Sequence, residues 1–150
     1  MLEKIKKIWI ISLIIIIVVS FGLSIYLYNT PDENEKIIIN WANNRMEEIT
    51  YKNTFKIDNI EMNKEIGYCI LSYHYEDEQG ENQSCKELWK MENNEIKTNL
   101  GSLTGTKVMS LIIGYVTYTP EKLKEIEAQV ENDSKTISFS ANRITRLLEK

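Results

Sequence analysis

The chain has 150 residues, 43% of them hydrophobic and 27% charged, with a formal net charge of −4. Those averages describe an ordinary soluble protein, but residues 8–28 contain no charge at all. The first seven residues carry +2, from Lys4, Lys6 and Lys7 against Glu3, which leaves −6 for the rest. A basic tip, an apolar rod and an acidic polar domain argue against a freely soluble enzyme and a multi-span channel. They argue equally against nucleic acid as a charge-driven partner.

Seventeen of the 21 residues from Ile8 to Tyr28 are hydrophobic; Ser12, Ser20, Gly22 and Ser24 are the exceptions. As a helix this run is about 31 Å long, one hydrocarbon core. Helix is also what lipid demands, because it offers no partner to free backbone amides. Trp9 at one end and Tyr26 and Tyr28 at the other fall where interfacial aromatics anchor a span. Lys4, Lys6 and Lys7 predict a cytoplasmic N-terminus (residues 1–7) and an extracytoplasmic domain. The alternative is a cleaved signal peptide and a secreted domain. The run exceeds the usual apolar length of a signal, and no A-x-A site follows it, so a retained signal anchor is the expectation. A lipid-modified N-terminus would need a cysteine after the run, and a pilin-like one a glutamate near its start.

A turn at Thr30-Pro31-Asp32 closes a linker over 29–32, and residues 33–150 are enough for one core. Asp32 and Glu35 read as a capping-box start. Ile38, Trp41, Ala42, Met46 and Ile49 share one helical face, predicting a helix over about 33–50. Strand patterns follow at Phe55, Ile57 and 59–62, and at 66–75. In the second of these, Cys69, Leu71, Tyr73 and Tyr75 lie on one face and Tyr68, Ile70, Ser72 and His74 on the other. The polar stretch from Glu76 to Asn82 predicts a hairpin loop, with strands returning at 84–91 and, after an Asn93-Asn94 turn, at 95–100. The apolar run Thr106–Tyr118 predicts a buried central strand with Gly114 as a bulge. Thr119-Pro120-Glu121 starts a helix with Leu123, Ile126 and Val130 inward. Residues 136–139 alternate like a strand, yet Ile137, Ala141, Ile144 and Leu148 fit a helical stripe. A helix over at least 140–149 is expected.

The fold class is therefore α+β: an N-terminal transmembrane helix, then a helix, an antiparallel meander of four or five strands, and one or two C-terminal helices on one face. This pattern, over about 33–118, resembles the cystatin-like and NTF2-like domains, in which a helix lies across an antiparallel sheet. The 23 Ile and 14 Asn against three Ala reflect AT-rich codons. The whole resembles small membrane-anchored, extracytoplasmic proteins of low-GC bacteria, and many of the asparagines are attributable to codon bias.

Cys69 and Cys85 lie on the two arms of the predicted hairpin. If the pairing centres on Asp77 they face each other, and a disulfide would contribute about 3 kcal/mol in an oxidising compartment. If it centres on Gln79-Gly80, Cys69 faces about residue 90 instead. Other chemistry is sparse. His74 is the sole histidine and has no ligand cluster around it in sequence, so no metal site is expected. Glu76, Asp77, Glu78 and Glu81 lack the calcium-loop spacing. Gly101–Thr106 lacks the ending of a phosphate loop. Ser134 and Lys135 are adjacent rather than placed to react. No catalytic residue and no cofactor is expected.

Tyr68, Tyr73, Tyr75 and Trp89 form the candidate binding surface, should the sheet leave a face open. The function expected is a non-catalytic binding module tethered by residues 8–28 to the lipid bilayer, with an envelope protein, peptide or glycan as partner. A subunit of a secretion or conjugation machine with an NTF2-like outer domain, and a cell-wall enzyme, are the alternatives. An envelope sensor has almost no cytoplasmic residues for an output.

Overall fold

A computed structural model of the protein describes residues 2–104, 111–113 and 116–149. The chain divides into two compact units, residues 1–32 and 33–150.

The first unit is α1, a single helix over Leu2–Asn29. It begins before the apolar run, so Lys4, Lys6 and Lys7 fall in its first turns. At about 1.5 Å per residue it is roughly 42 Å long, enough for a hydrocarbon core and parts of both interfaces. Its apolar side chains from Trp9 to Tyr28 are between 48% and 71% exposed, so none is used to build a protein core. By length and composition this helix can cross a membrane.

The second unit is α+β. Its elements are α2 (Glu33–Glu47), a short 3-10 turn (Lys52–Thr54), β1 (Lys56–Asn63), β2 (Tyr68–Glu76), β3 (Asn82–Glu92), β4 (Glu95–Ser102), β5 (Leu111–Ile113), β6 (Val116–Tyr118), α3 (Pro120–Asn132), β7 (Ile137–Phe139) and α4 (Ala141–Leu148). The main sheet has the order β4-β3-β2-β1-β7, antiparallel throughout. The meander and the C-terminal helices appear as the periodicities predict, and residues 137–139 resolve as the strand alternative.

Two expectations fail. The described residues of the run 106–118 do not form the central strand. Leu111 pairs with Tyr118 and Ile113 with Val116, giving a separate two-stranded sheet. The central place belongs to β2, whose successive residues are apolar in both directions, as a strand covered on both faces requires. The Gly114 bulge lies outside the described residues. Nor do the helices share one face. Cys69, Leu71 and Tyr73 of β2 pack with Ile38, Trp41 and Ala42 of α2 and Ile144 of α4. On the other side, Ile70, Leu88 and Leu100 pack with Leu123, Ile126 and Val130 of α3. The domain is a sheet between two helical layers, and the α3 layer departs from a cystatin-like or NTF2-like plan.

Local chemistry explains the element boundaries. Thr119 caps α3 by accepting from Lys122 N, with Pro120 in the first turn. Asn93 and Asn94 have φ of 53° and 60° and close a two-residue hairpin, a conformation Asn tolerates best after Gly. Asp58 is the extra residue of a β1 bulge: Ile57 pairs with Tyr73 and Asn59 with Ser72. The bulge lets Ile57, Ile60 and Met62 face the same core despite their uneven spacing. Glu35 turns inward at the start of α2. It is 4% exposed, and its carboxylate accepts from Arg143 Nε and, at 2.9 Å, from an Arg143 terminal nitrogen. That two-point ion pair ties α2 to α4.

The β2–β3 loop is built around Asp77. Its carboxylate accepts from Gln79 N at 3.0 Å, Glu81 N at 2.9 Å and Gln83 Nε2 at 2.6 Å. Gly80, at φ 78°, supplies the left-handed residue that closes the loop. The backbone bond from Glu81, followed by those from Gln83 and Gln79, holds the Asp77 carboxyl below its ordinary 3.8. A lowered folded-state pKa means the contribution to stability is full above about pH 4 and fades as pH falls further. Asp77→Asn is therefore expected to lower the urea midpoint at pH 7, with the gap to the wild type shrinking at pH 3. An equal gap at both values would contradict this role for the charge.

Candidate functional site

The face of the sheet under α2 carries the polar chemistry. Along β3, residues Cys85, Glu87, Trp89 and Met91 point to one side, because alternate residues of a strand share a face. Three of them suit a core; Glu87 does not, yet it is only 8% exposed. Its Oε2 accepts from the Tyr73 hydroxyl at 3.0 Å and from Trp89 Nε1 at 2.9 Å. Arg45, on the inner side of α2, donates from Nε to the Tyr73 hydroxyl at 2.9 Å. A terminal nitrogen of Arg45 stands 3.9 Å from Glu87 Oε1, and another pairs with Glu48. The guanidinium carbon lies 5.6 Å from the Tyr73 ring centre.

These groups set one another's protonation. Burial opposes the charge on Arg45, but Tyr73, Glu48 and Glu87 outweigh it and raise its pKa. Burial, and then the Glu87 charge, push the Tyr73 phenol well above its ordinary value. At neutral pH Tyr73 is thus a protonated bridge, donating to Glu87 while accepting from Arg45.

Trp41 joins this network to the surface. Its ring meets Tyr73 edge-on at 5.5 Å and Trp89 edge-on at 5.7 Å. The same residue lines a cleft of about 520 Å³ between α2 and the β3–β4 turn, a size within the range of small-ligand sites. Asn40 and Asn44, one turn apart, contribute from α2 and Asn94 from the turn. Glu95 and Lys97, also in the lining, pair with each other at 3.1 Å.

The residues expected to form one aromatic surface are separated. Tyr73 is fully buried. Tyr75 stacks on it at 6.2 Å, and Trp89 is held beneath α2. Tyr68 packs on the opposite face with the α3 core. What the structure brings together is Tyr73, Tyr75 and Trp89 as framework, with Arg45, Glu87 and Trp41. Glu87 was detectable in the sequence as the one acid on an inward strand parity. Arg45 was not, since its partners are distant in sequence.

The expected disulfide is also corrected. Cys69 pairs in register with Trp89 and Cys85 with Tyr73, so the hairpin centres on Gln79 and not on Asp77. Both cysteines are free thiols. At about 3.3 Å per residue the four-residue offset puts them roughly 13 Å apart along the sheet, beyond disulfide reach. Burial, then Glu61, raises the Cys69 thiol, and burial, then Glu87, raises that of Cys85.

The remaining polar candidates have local roles. His74 Nδ1 lies 2.9 Å from Asp58 Oδ1 across the bulge. Lys135 pairs with Glu65 at 2.5 Å. Gly101 and Ser102 belong to β4, while Gly105 and Thr106 lie outside the described residues. Trp9, Tyr26 and Tyr28 are exposed on α1. Against protein-family models, curated proteins and solved structures, the chain matches none.

Two outcomes follow. Tyr73→Phe removes the bridge between a buried acid and its cation, and the expected cost is about 1–3 kcal/mol, seen as a lower melting temperature. An unchanged melting temperature would remove the network from the list of stabilising interactions. In alkylation of the native protein without reductant, both cysteines should be modified, half-buried Cys85 well before Cys69. Loss of two protons' mass from the intact chain would instead reveal a disulfide.

Proposed function

We propose that this protein is a binding module tethered to the outer face of a cell membrane, with α1 as a retained signal anchor and the α+β domain as the working part. The observation that carries the reading is the division of labour between the two units. α1 commits its apolar side chains to no protein core, while residues 33–150 build a complete core on both faces of their own sheet. A helix with that surface is unstable in water and stable in lipid. The three lysines in its first turns favour retention of that end in the cytoplasm.

Binding rather than catalysis is supported by the character of the α2 face. Two strongly perturbed groups there, Tyr73 and Arg45, are shifted toward keeping their protons and are spent on each other and on Glu87. That arrangement stiffens a wall; the cleft beside it supplies hydrogen-bonding groups. The partner would be a molecule of the envelope.

The test is labelling of a cysteine placed at the exposed hairpin tip, Glu78→Cys, in intact cells expressing the chain. A membrane-impermeant maleimide should label it without lysis, on a protein that keeps its full-length mass in the membrane fraction. Labelling only after lysis would reverse the orientation. A labelled product shortened by the α1 segment and found in the medium would make the helix a cleaved signal.

A further inference from the structure

We propose that the cleft between α2 and the β3–β4 turn binds an uncharged oligosaccharide. This rests on the binding-module reading above and assigns its site and ligand class.

Four asparagines border the cleft: Asn40, Asn43 and Asn44 from α2, and Asn94 from the turn. Codon bias accounts for asparagines in general but not for their convergence on one cavity. Elsewhere in the domain, Asn59, Asn63, Asn99 and Asn132 spend their side chains on protein groups. The four at the cleft hydrogen-bond to no other described residue through their amides. Each amide offers two donors and an acceptor with two lone pairs, the complement of adjacent sugar hydroxyls or an acetamido group.

The floor gives a second, independent indication. Trp41 is 4% exposed, lines the cleft, and its indole N–H has no hydrogen-bond acceptor among the described residues. Buried donors are ordinarily satisfied, and an orphan one calls for a partner. The nitrogen is enclosed, and the ring that carries it borders the cleft. The Glu87–Trp89 bond and the edge-on contact of Trp89 with Trp41 hold the indole in place beside the cleft.

Charge narrows the class. Glu95 and Lys97 neutralise each other at 3.1 Å, and the other lining residues are neutral. An anion or a cation would meet no net opposite charge. An apolar side chain would need an apolar pocket, whereas four of the nine lining residues here are asparagines. A neutral, hydroxyl-rich ligand matches both conditions.

The test uses the full chain in phospholipid nanodiscs, labelled with 5-fluorotryptophan so that Trp9, Trp41 and Trp89 give three fluorine resonances. The Trp41 signal is assigned through Trp41→Phe. Triacetylchitotriose and maltotriose, both uncharged, are titrated, with an acidic and a basic tripeptide as contrasts. The expected result is a saturable shift of the Trp41 resonance with at least one sugar. Asn44→Ala and Asn94→Gly should each weaken that binding about tenfold, the loss of a well-formed polar contact. Neither variant should lower the melting temperature. Ala is the better helix former, and Asn-Gly is the favoured pair for this turn. No shift with either sugar overturns the proposal, as does a shift that both variants leave intact. A shift with a tripeptide alone overturns the ligand class. All three results leave the tethered-module reading to its own labelling test, which does not depend on the cleft.

Discussion

The pairing of β2 with β3 is the constraint on which the rest of the domain depends, because it decides which side chains meet α2 and which meet α3. Both sides of this ladder are apolar, so hydrophobic burial alone specifies the facing weakly. Two neighbouring charges do so more sharply. Glu87 points toward α2, where Arg45, Tyr73 and Trp89 receive it. Lys86 points toward α3, where Glu127 and Glu131 receive it. Turning β3 over would set Glu87 against two acids and Lys86 against an arginine. Each inverted pairing would bury like charges together, which costs more than misplacing an apolar residue. The Asp77 loop then holds the hairpin at that setting from its closed end.

Trp41 extends the same constraint outward. It rests on Tyr73 and Trp89, which Glu87 holds, and it floors the cleft at the rim of the sheet. The interior network and the surface cavity are therefore one construction. The buried ion pair of Glu35 with Arg143 secures the other side of α2 against α4. A helix tied at both its start and its middle keeps the cleft wall in place, which is what a pre-formed binding site requires.

The two units separate two physical problems. Along its apolar run α1 bonds its backbone to itself and presents mostly apolar side chains, a solution suited to lipid. The domain instead puts most of its acids outside, meets the buried Glu35 and Glu87 with arginines, and sets its apolar residues on the two inner surfaces of a three-layer sandwich. The acidity that remains, −6 outside the first 28 residues, is spread over a solvated surface and marks no single site.

The sequence by itself determined the long apolar helix, the α2, α3 and α4 stripes, the meander and its turns, because these depend on periods of 3.6 and 2 and on local turn chemistry. Residues such as Thr119, Pro120, Asn93 and Asn94 act within a few positions of themselves. Only the tertiary structure decided what depends on distant partners. It placed α3 opposite α2, made β2 central in place of 106–118, and set the Gln79-centred register that parts Cys69 from Cys85. It also divided Tyr68 from Tyr73 and built the Arg45–Tyr73–Glu87 network. An amphipathic stripe says that a helix must be covered, but not by which face of which sheet. Two inward-facing patterns of equal apolarity leave that choice to charges and loops, whose partners become neighbours only when the chain has folded.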